Sequence, residues 1–432
     1  MKNSKPGMNT LAVHAGVEAN AETGARMVPI YQSAGYQFKN AKHAAGLFHL
    51  DEVGYIYSRL TNPTVSALET KLAALEGGVG ATACASGIAA HQMALFPLLK
   101  SGDEFIASNK LYGGTVNQLS VSFRHFGWVC NLVNPDDPEN FKKAITAKTK
   151  AIFIESVSNP SGVVADIEAI AKIAHAAGIP LIVDNTVPSP YLCRPFEWGA
   201  DIVTHSTTKF LCGNGSTMGG AVVDSGKFNW SGNDKFPSLA KAEPSYDNRN
   251  FHKEFGEMAY TLYLHAVCLR DLGACQAPMN AFQTILGMET LVLRMRQHSA
   301  NALAVAEFLK LHPAVASVNF TGLSSSPYHT LAQKYLPHGP TSLFTFTLKG
   351  GYDGCVAFVE HAKLCSQVAN IGDTRTLIIH PASTTHHQLN AEQMASVGIN
   401  PGMIRISVGI EDDADIIADL DQALAAAHTK AA

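Results

Sequence analysis

Between about residues 66 and 225, short apolar runs alternate with longer amphipathic stretches. The runs at 105–108, 128–133, 151–157, 180–184, 201–204 and 220–224 are nearly continuous, as expected of strands covered on both faces. Between the third and fourth run lies an amphipathic helix. Ile167, Ile170, Ala171 and Ala174 share one helical face, Asp166 is positioned to cap the start, and Gly178 ends the helix before Pro180. Such alternation predicts a mostly parallel sheet with helices on both sides. Beyond it, 226–262 is rich in Gly, Asn and aromatic residues and reads as long connecting loops. A helical region at roughly 280–310 follows, a bridge into a second domain. There the pattern becomes that of an antiparallel sheet with one face covered. Phe344, Phe346 and Leu348 alternate in 341–350, and Ile404, Ile406 and Val408 alternate against Arg405 and Ser407 in 403–412. A helix at 413–427 closes the chain.

Composition sharpens this picture. The chain of 432 residues suits two or three domains, and its charged fraction, 16%, is well below the average of about 25%. Low charge density implies a large interior or a subunit interface. A net charge of −4 argues against a nucleic-acid or anionic-membrane partner. The eight cysteines never fall at CxxC spacing and read as buried free thiols of a reducing compartment. No run reaches the roughly 18 apolar residues of a membrane span, and the N-terminus lacks the apolar core of a signal peptide, so a cytoplasmic protein is expected.

Several apparent motifs dissolve on inspection. GAVVDSGKF (220–228) misses the spacing of a phosphate-binding loop, no GxGxxG opens a helix after a strand, and no GxSxG is present. His380, His386 and His387 lack the helical spacing of a zinc site, and no metal is expected.

Three other segments gain meaning together. Asp184 ends an apolar run, where ligands gather in an open parallel sheet, although an acid there can also be a helix cap. The next run leads into HSTTKF (205–210) and sets Lys209 at a neighbouring strand end. ACASGIAA (83–90) is a small-residue turn into an apolar helix. Its N–H groups at Gly87 and Ile88 can face an anion, with Ser206 and Thr208 adding hydroxyls. Plain capping by Ser86 explains the turn equally well in isolation. Pyridoxal 5′-phosphate (PLP) needs all three: a lysine for its aldehyde, a carboxylate for its ring nitrogen, and donors for its phosphate. Tyr112, in LYGGT (111–115), can stack on the ring and move a proton.

With these residues assembled, the sequence resembles the Cys/Met-metabolism family of fold-type I PLP-dependent enzymes. Within it the sequence is most similar to the O-acetylhomoserine sulfhydrylases. The resemblance runs through YIYSRLTNPT (55–64), LEGG (75–78), ASGIAA (85–90), LYGGT, ESVSNPSG (155–162), VDNT, HSTTKFLCGNGSTMGG (205–220), ETLVLRMRQHSANALAVA (289–306), HPASTTH (380–386) and RISVGIED (405–412). It implies an α/β, fold-type I transferase with a mostly parallel large domain at 66–285 and a smaller α+β C-terminal domain at 286–432. Residues 1–65 would form an arm reaching the neighbouring subunit's site.

The resemblance also implies roles. Lys209 would bind PLP covalently and shuttle protons, Asp184 would pair with the ring nitrogen, and Tyr112 would stack. Gly87, Ile88, Ser206 and Thr208 would hold the phosphate, joined by Tyr57 and Arg59 from a neighbouring subunit. Arg405 would clamp the substrate α-carboxylate, a task its planar fork suits. Asn159, Ser383 and Tyr57 would stand near cofactor or substrate. The implied reaction replaces acetate in O-acetyl-L-homoserine by sulfide, or by methanethiol, in a homo-oligomer expected to be a tetramer of paired dimers. O-succinylhomoserine sulfhydrylase, cystathionine γ-synthase, methionine γ-lyase and a non-catalytic binding module are the alternatives. The chain departs from its relatives at Ile88, often Met; at Asn214, often His; and at Gly114, where methionine γ-lyases carry Cys.

Overall fold

In the computed structural model, which describes residues 6–384 and 399–429, the apolar runs form one seven-stranded sheet. Its strands are β1 (Gly80–Cys84), β2 (Glu104–Ser108), β3 (Val129–Val133), β4 (Thr149–Glu155), β5 (Leu181–Asp184), β6 (Ile202–His205) and β7 (Gly220–Asp224). The order is β1-β7-β6-β5-β4-β2-β3, and only the pairings of β7 with β1 and β6 are antiparallel. The strands β5, β6 and β7 are buried along their whole length, whereas in β3 at the edge only Cys130 is buried. Continuous apolar runs therefore mark the middle of the sheet, as helices on both faces require.

The helix Ile167–Ala176 forms as its pattern predicts. Asp166 accepts from the Ala169 N–H at 3.2 Å, the four apolar residues are buried, and Gly178 turns the chain at φ +65°. The run 226–262 differs from its reading as loops. It contains Pro237–Ala240 and Phe251–Phe255, helices too short to display a period, and the start of a helical stretch that runs from Ala259 through a π-helical segment, Leu264–Leu269, to Leu272. Its aromatic residues are core: Trp230, Phe236, Phe251 and Tyr260 are each at most 2% exposed.

The bridge is two helices, Pro278–Glu289 and Leu291–Leu311, meeting at Thr290. The second runs between two cores. Leu291, Val292 and Met295 belong to the core of the large sheet, while Ala302, Val305, Ala306 and Leu309 belong to another around the C-terminal sheet. Its polar side chains grip both sides. Arg294 donates to the carbonyls of Phe210 (2.8 Å) and Gly287 (2.7 Å). His298 meets the carbonyl of Val408 (2.7 Å), and Asn301 donates to those of Gly409 (3.1 Å) and Glu411 (2.7 Å).

The second sheet has the order β10-β11-β12-β9-β8, built from β8 (Val315–Asn319), β9 (Leu343–Leu348), β10 (Ser366–Gln367), β11 (Leu377–Ile379) and β12 (Met403–Ser407). It is antiparallel except for β10 with β11. Phe344, Phe346, Ile404 and Ile406 line its own core, under the helices Gly351–His361 and Asp413–Thr429. The expectation of one uncovered face fails here. Leu343 joins the first core, and Thr345, paired with Arg405, is buried with it. The polar face looks back toward the large sheet, so its polarity reflects a site rather than solvent.

Candidate functional site

A cavity of about 200 Å³ opens between the carboxyl ends of β4, β5 and β6 and the inner face of the second sheet. It is lined by Gly87, Ile88, Tyr112, Asn159, Asp184, Ser206, Thr208, Lys209 and Arg405, nine of the twelve residues singled out from the sequence. Parallel pairing explains the convergence. Asp184 on β5 lies in register with Glu155 on β4 and Thr204 on β6, so residues just past these strand ends meet.

Lys209 lies in the turn that follows β6. Its Nζ donates to Asn370 Oδ1 at 2.5 Å. Burial, and then the charge of Arg405, push the amine down to about 8, which gives it a substantial neutral fraction near physiological pH. Arg405, on β12, donates to Asn159 Oδ1 (3.2 Å) and to the Asn370 carbonyl (3.0 Å). Burial lowers it to about 10, so it stays charged, and no carboxylate pairs with it among the described residues. A buried guanidinium held only by neutral acceptors is a receptor for an anion.

Asp184 accepts from the Thr186 N–H at 2.9 Å and lies 2.9 Å from His91 Nε2. Burial alone would raise its carboxyl, but hydrogen bonding and charge from His91, with Thr186, outweigh that and hold it below its usual range. At the opposite end, Ser86 caps the helix Gly87–Leu95 by accepting from Ala89 N–H. The first-turn N–H groups of Gly87 and Ile88 have no intrahelical acceptor and border the cavity. Only glycine fits at 87, since a Cβ there would stand 2.7 Å from that of Ser206. The Thr208 hydroxyl is already engaged with Gly219, donating to its carbonyl and accepting from its N–H. Tyr112 borders the cavity, and its N–H donates to Glu155 Oε1 at 2.7 Å.

Three candidates lie elsewhere. Ser383 is not among the residues lining the cavity, and its hydroxyl is engaged with His380. The rest of that motif, with His386 and His387, falls outside the described residues. Tyr57 and Arg59 sit together before the helix Pro63–Glu76, the guanidinium 5.0 Å from the ring centroid, and neither lines this chain's own cavity. Among the described residues, no group of His, Cys, Asp or Glu is placed to hold a metal, and no helix is long and apolar enough to cross a membrane. All eight cysteines are free and seven are buried.

The structure adds residues that the sequence reading passed over. Glu155 joins two loops, accepting from the N–H of Tyr112 and of Asn159 (3.0 Å). Burial and the charge of Asp184 raise its carboxyl to about 8. It ends an apolar run as Asp184 does, and that signal could have found it. His91 is a lone polar residue inside an apolar helix, a weaker signal. Asn370, in a loop 161 residues beyond Lys209, gave none.

An amine, a carboxylate held ionised, an aromatic ring and a helix N-terminus around one cavity form the donor set that PLP requires, and the residues fit it. Comparison with known proteins agrees. The family of Cys/Met metabolism PLP-dependent enzymes matches residues 9–425. An O-acetyl-L-homoserine sulfhydrylase of Leptospira meyeri is 46% identical over 98% of this chain and 97% of its own. The homocysteine synthase of Schizosaccharomyces pombe is 47% identical over 96% of this chain and 97% of its own. A crystal structure described as an O-acetylhomoserine (thiol)-lyase of Campylobacter jejuni, with N′-pyridoxyl-lysine-5′-monophosphate in its chain, superposes with a TM-score of 0.94. It is 40% identical and is covered completely by 97% of this chain. The chain therefore belongs to the Cys/Met metabolism family of PLP-dependent enzymes.

Proposed function

We propose that this chain catalyses γ-replacement, converting O-acetyl-L-homoserine and sulfide to L-homocysteine and acetate. Curated relatives with this activity in their names, matched over nearly the full chain, support the reaction. The observation that carries the reading is an amine of lowered basicity and an unpaired guanidinium, Lys209 and Arg405, in one cavity beside Asp184. The cofactor is PLP, which supplies an aldehyde that captures amines and a protonated ring that withdraws electrons from the substrate's α-carbon.

The protein's own residues do the remaining work. Arg405 binds the α-carboxylate through its two outer nitrogens, and Asn159 and Asn370 hold the guanidinium flat for it. The neutral Lys209 amine takes the α-proton, hands it on within the site and so regains its lone pair, and then takes a β-proton, which lets acetate leave from the γ-carbon. It returns protons once sulfide has added there. Asn370, accepting from Nζ, aims that amine. Asp184 would hold the proton on the ring nitrogen, Tyr112 would cover the ring, and Gly87, Ile88 and Ser206 would bind phosphate, joined by Thr208 once its hydroxyl turns from the Gly219 carbonyl. Gly114 supports replacement over the lyase reaction. A Cβ at 114 would stand 2.5 Å from the Tyr112 ring, so a cysteine there would displace Tyr112.

The same proposal includes a dimer in which Tyr57 and Arg59 of one protomer reach the phosphate bound by its partner, two dimers forming a tetramer. Tyr57 is exposed, and the Arg59 guanidinium packs over its ring, which leaves the pair available to a second copy. Free buried thiols suit a cytoplasmic location. The test is acetate release from O-acetylhomoserine by the purified protein. Release that requires sulfide, with homocysteine formed in equal amount, is expected. Rapid formation of 2-oxobutyrate from methionine alone would overturn the reading.

A further inference from the structure

His91 is 3% exposed, and both of its ring nitrogens face acceptors. Nε2 lies 2.9 Å from Asp184 Oδ2, and Nδ1 lies 3.2 Å from Gln118 Oε1. The orientation of the Gln118 amide is set by its far end. Its Nε2 donates to the Ile88 carbonyl at 2.7 Å, and a carbonyl can only accept. Edge-to-face packing against Phe153, with ring centroids 5.0 Å apart, fixes the plane of the imidazole.

A singly protonated imidazole can donate to only one of two acceptors. The other contact would then set lone pair against lone pair, unless Asp184 itself carried the proton. A second carboxyl decides between these arrangements. Glu155 is in register with Asp184 on the adjacent strand and is also buried. Two neighbouring carboxylates in a dry site do not both ionise. The group beside a cation keeps its charge, and the group without one takes the proton. Asp184 faces an imidazole able to hold the proton and also accepts from the Thr186 N–H. Glu155 is held only by two backbone N–H groups.

We propose that His91 is a positioning residue: clamped doubly protonated between Gln118 and Asp184, it keeps Asp184 ionised to receive the cofactor's ring nitrogen, while Glu155 carries the proton. This rests on the PLP reading of the cavity. His91 borders the cavity, but its ring nitrogens are taken up by Gln118 and Asp184, so it acts through the carboxylate. Glu155, being neutral, serves as scaffold, tying the Tyr112 and Asn159 loops together without adding a second negative charge under the ring.

Two measurements test this. In protein labelled with 15N at histidine, the His91 resonances, identified by their loss in His91→Gln, should show both nitrogens protonated at neutral pH. That result is expected with and without PLP. A neutral tautomer would overturn the proposal. In the second, His91→Gln should lower PLP affinity about tenfold or more, because Asp184 gains the proton that His91 surrenders. It should lower kcat with little change in KM for the amino acid, whereas a merely structural loss would lower the melting temperature and leave PLP affinity intact. An unchanged affinity would equally overturn the proposal. A wild-type chain that never takes up PLP would instead refute the cofactor reading, and the nitrogen shifts of the PLP-free protein would still decide the charge on His91.

Discussion

Lys209 illustrates how a single residue can serve chemistry at the expense of stability. Below about pH 8 its amine is charged in both the folded and the unfolded chain, and folding bears the full cost of dehydrating it. Above the unfolded value of about 10.4 the amine is neutral in both and the cost is gone. Lys209→Met should therefore stabilise the PLP-free protein at pH 7, by roughly 1–2 kcal/mol once Asn370 has lost its donor. The gain should shrink as pH rises from about 8 toward 10.4, while activity is abolished. Urea midpoints at three pH values check this; a constant or negative difference would contradict it.

At the scale of elements, strand ends carry the site, and strand ends were what the sequence made legible. Asp184 and Lys209 terminate or follow buried apolar runs, and parallel topology makes such ends neighbours. Small strands are less visible. GATAC, which forms β1, offers neither alternation nor bulk, and its place in the sheet comes from pairing with β7, more than 130 residues later. His91 and Asn370 stayed hidden for a related reason, since their roles depend on which side chains the fold brings opposite them. Tyr57 and Arg59 were read from family likeness rather than from any local pattern. The turn after Lys209 has its own support in Arg294, pushed down to about 10 by burial yet still charged, whose fork is filled by carbonyls. Replacing it by Lys keeps a charge but offers one point donor for several acceptors. Arg294→Lys is expected to reduce kcat at least tenfold, measured by acetate release, and to lower the melting temperature; wild-type values would show that the turn holds itself.

For the whole molecule, the decisive question is whether each cavity is completed by a second copy of the chain. If it is, Arg59→Ala and Lys209→Ala fail in different halves of the same site. Separately purified, each variant should be nearly inactive. After unfolding and refolding together, half of random dimers pair one variant with the other, and each such dimer has one intact site. Recovery of roughly a quarter of wild-type activity is the expected result. No recovery, with mixed dimers verified by mass, would make each cavity self-contained.

The helix Leu291–Leu311 carries a mechanical consequence. Arg294 fastens it to the carbonyls immediately past Lys209, and one to two turns later His298 and Asn301 fasten it to those of Val408, Gly409 and Glu411, beyond the end of the strand that bears Arg405. An α-helix rises about 1.5 Å per residue and hardly stretches. It works as a gauge block: the segments that follow the base and the carboxylate receptor are spaced by the pitch of one rod.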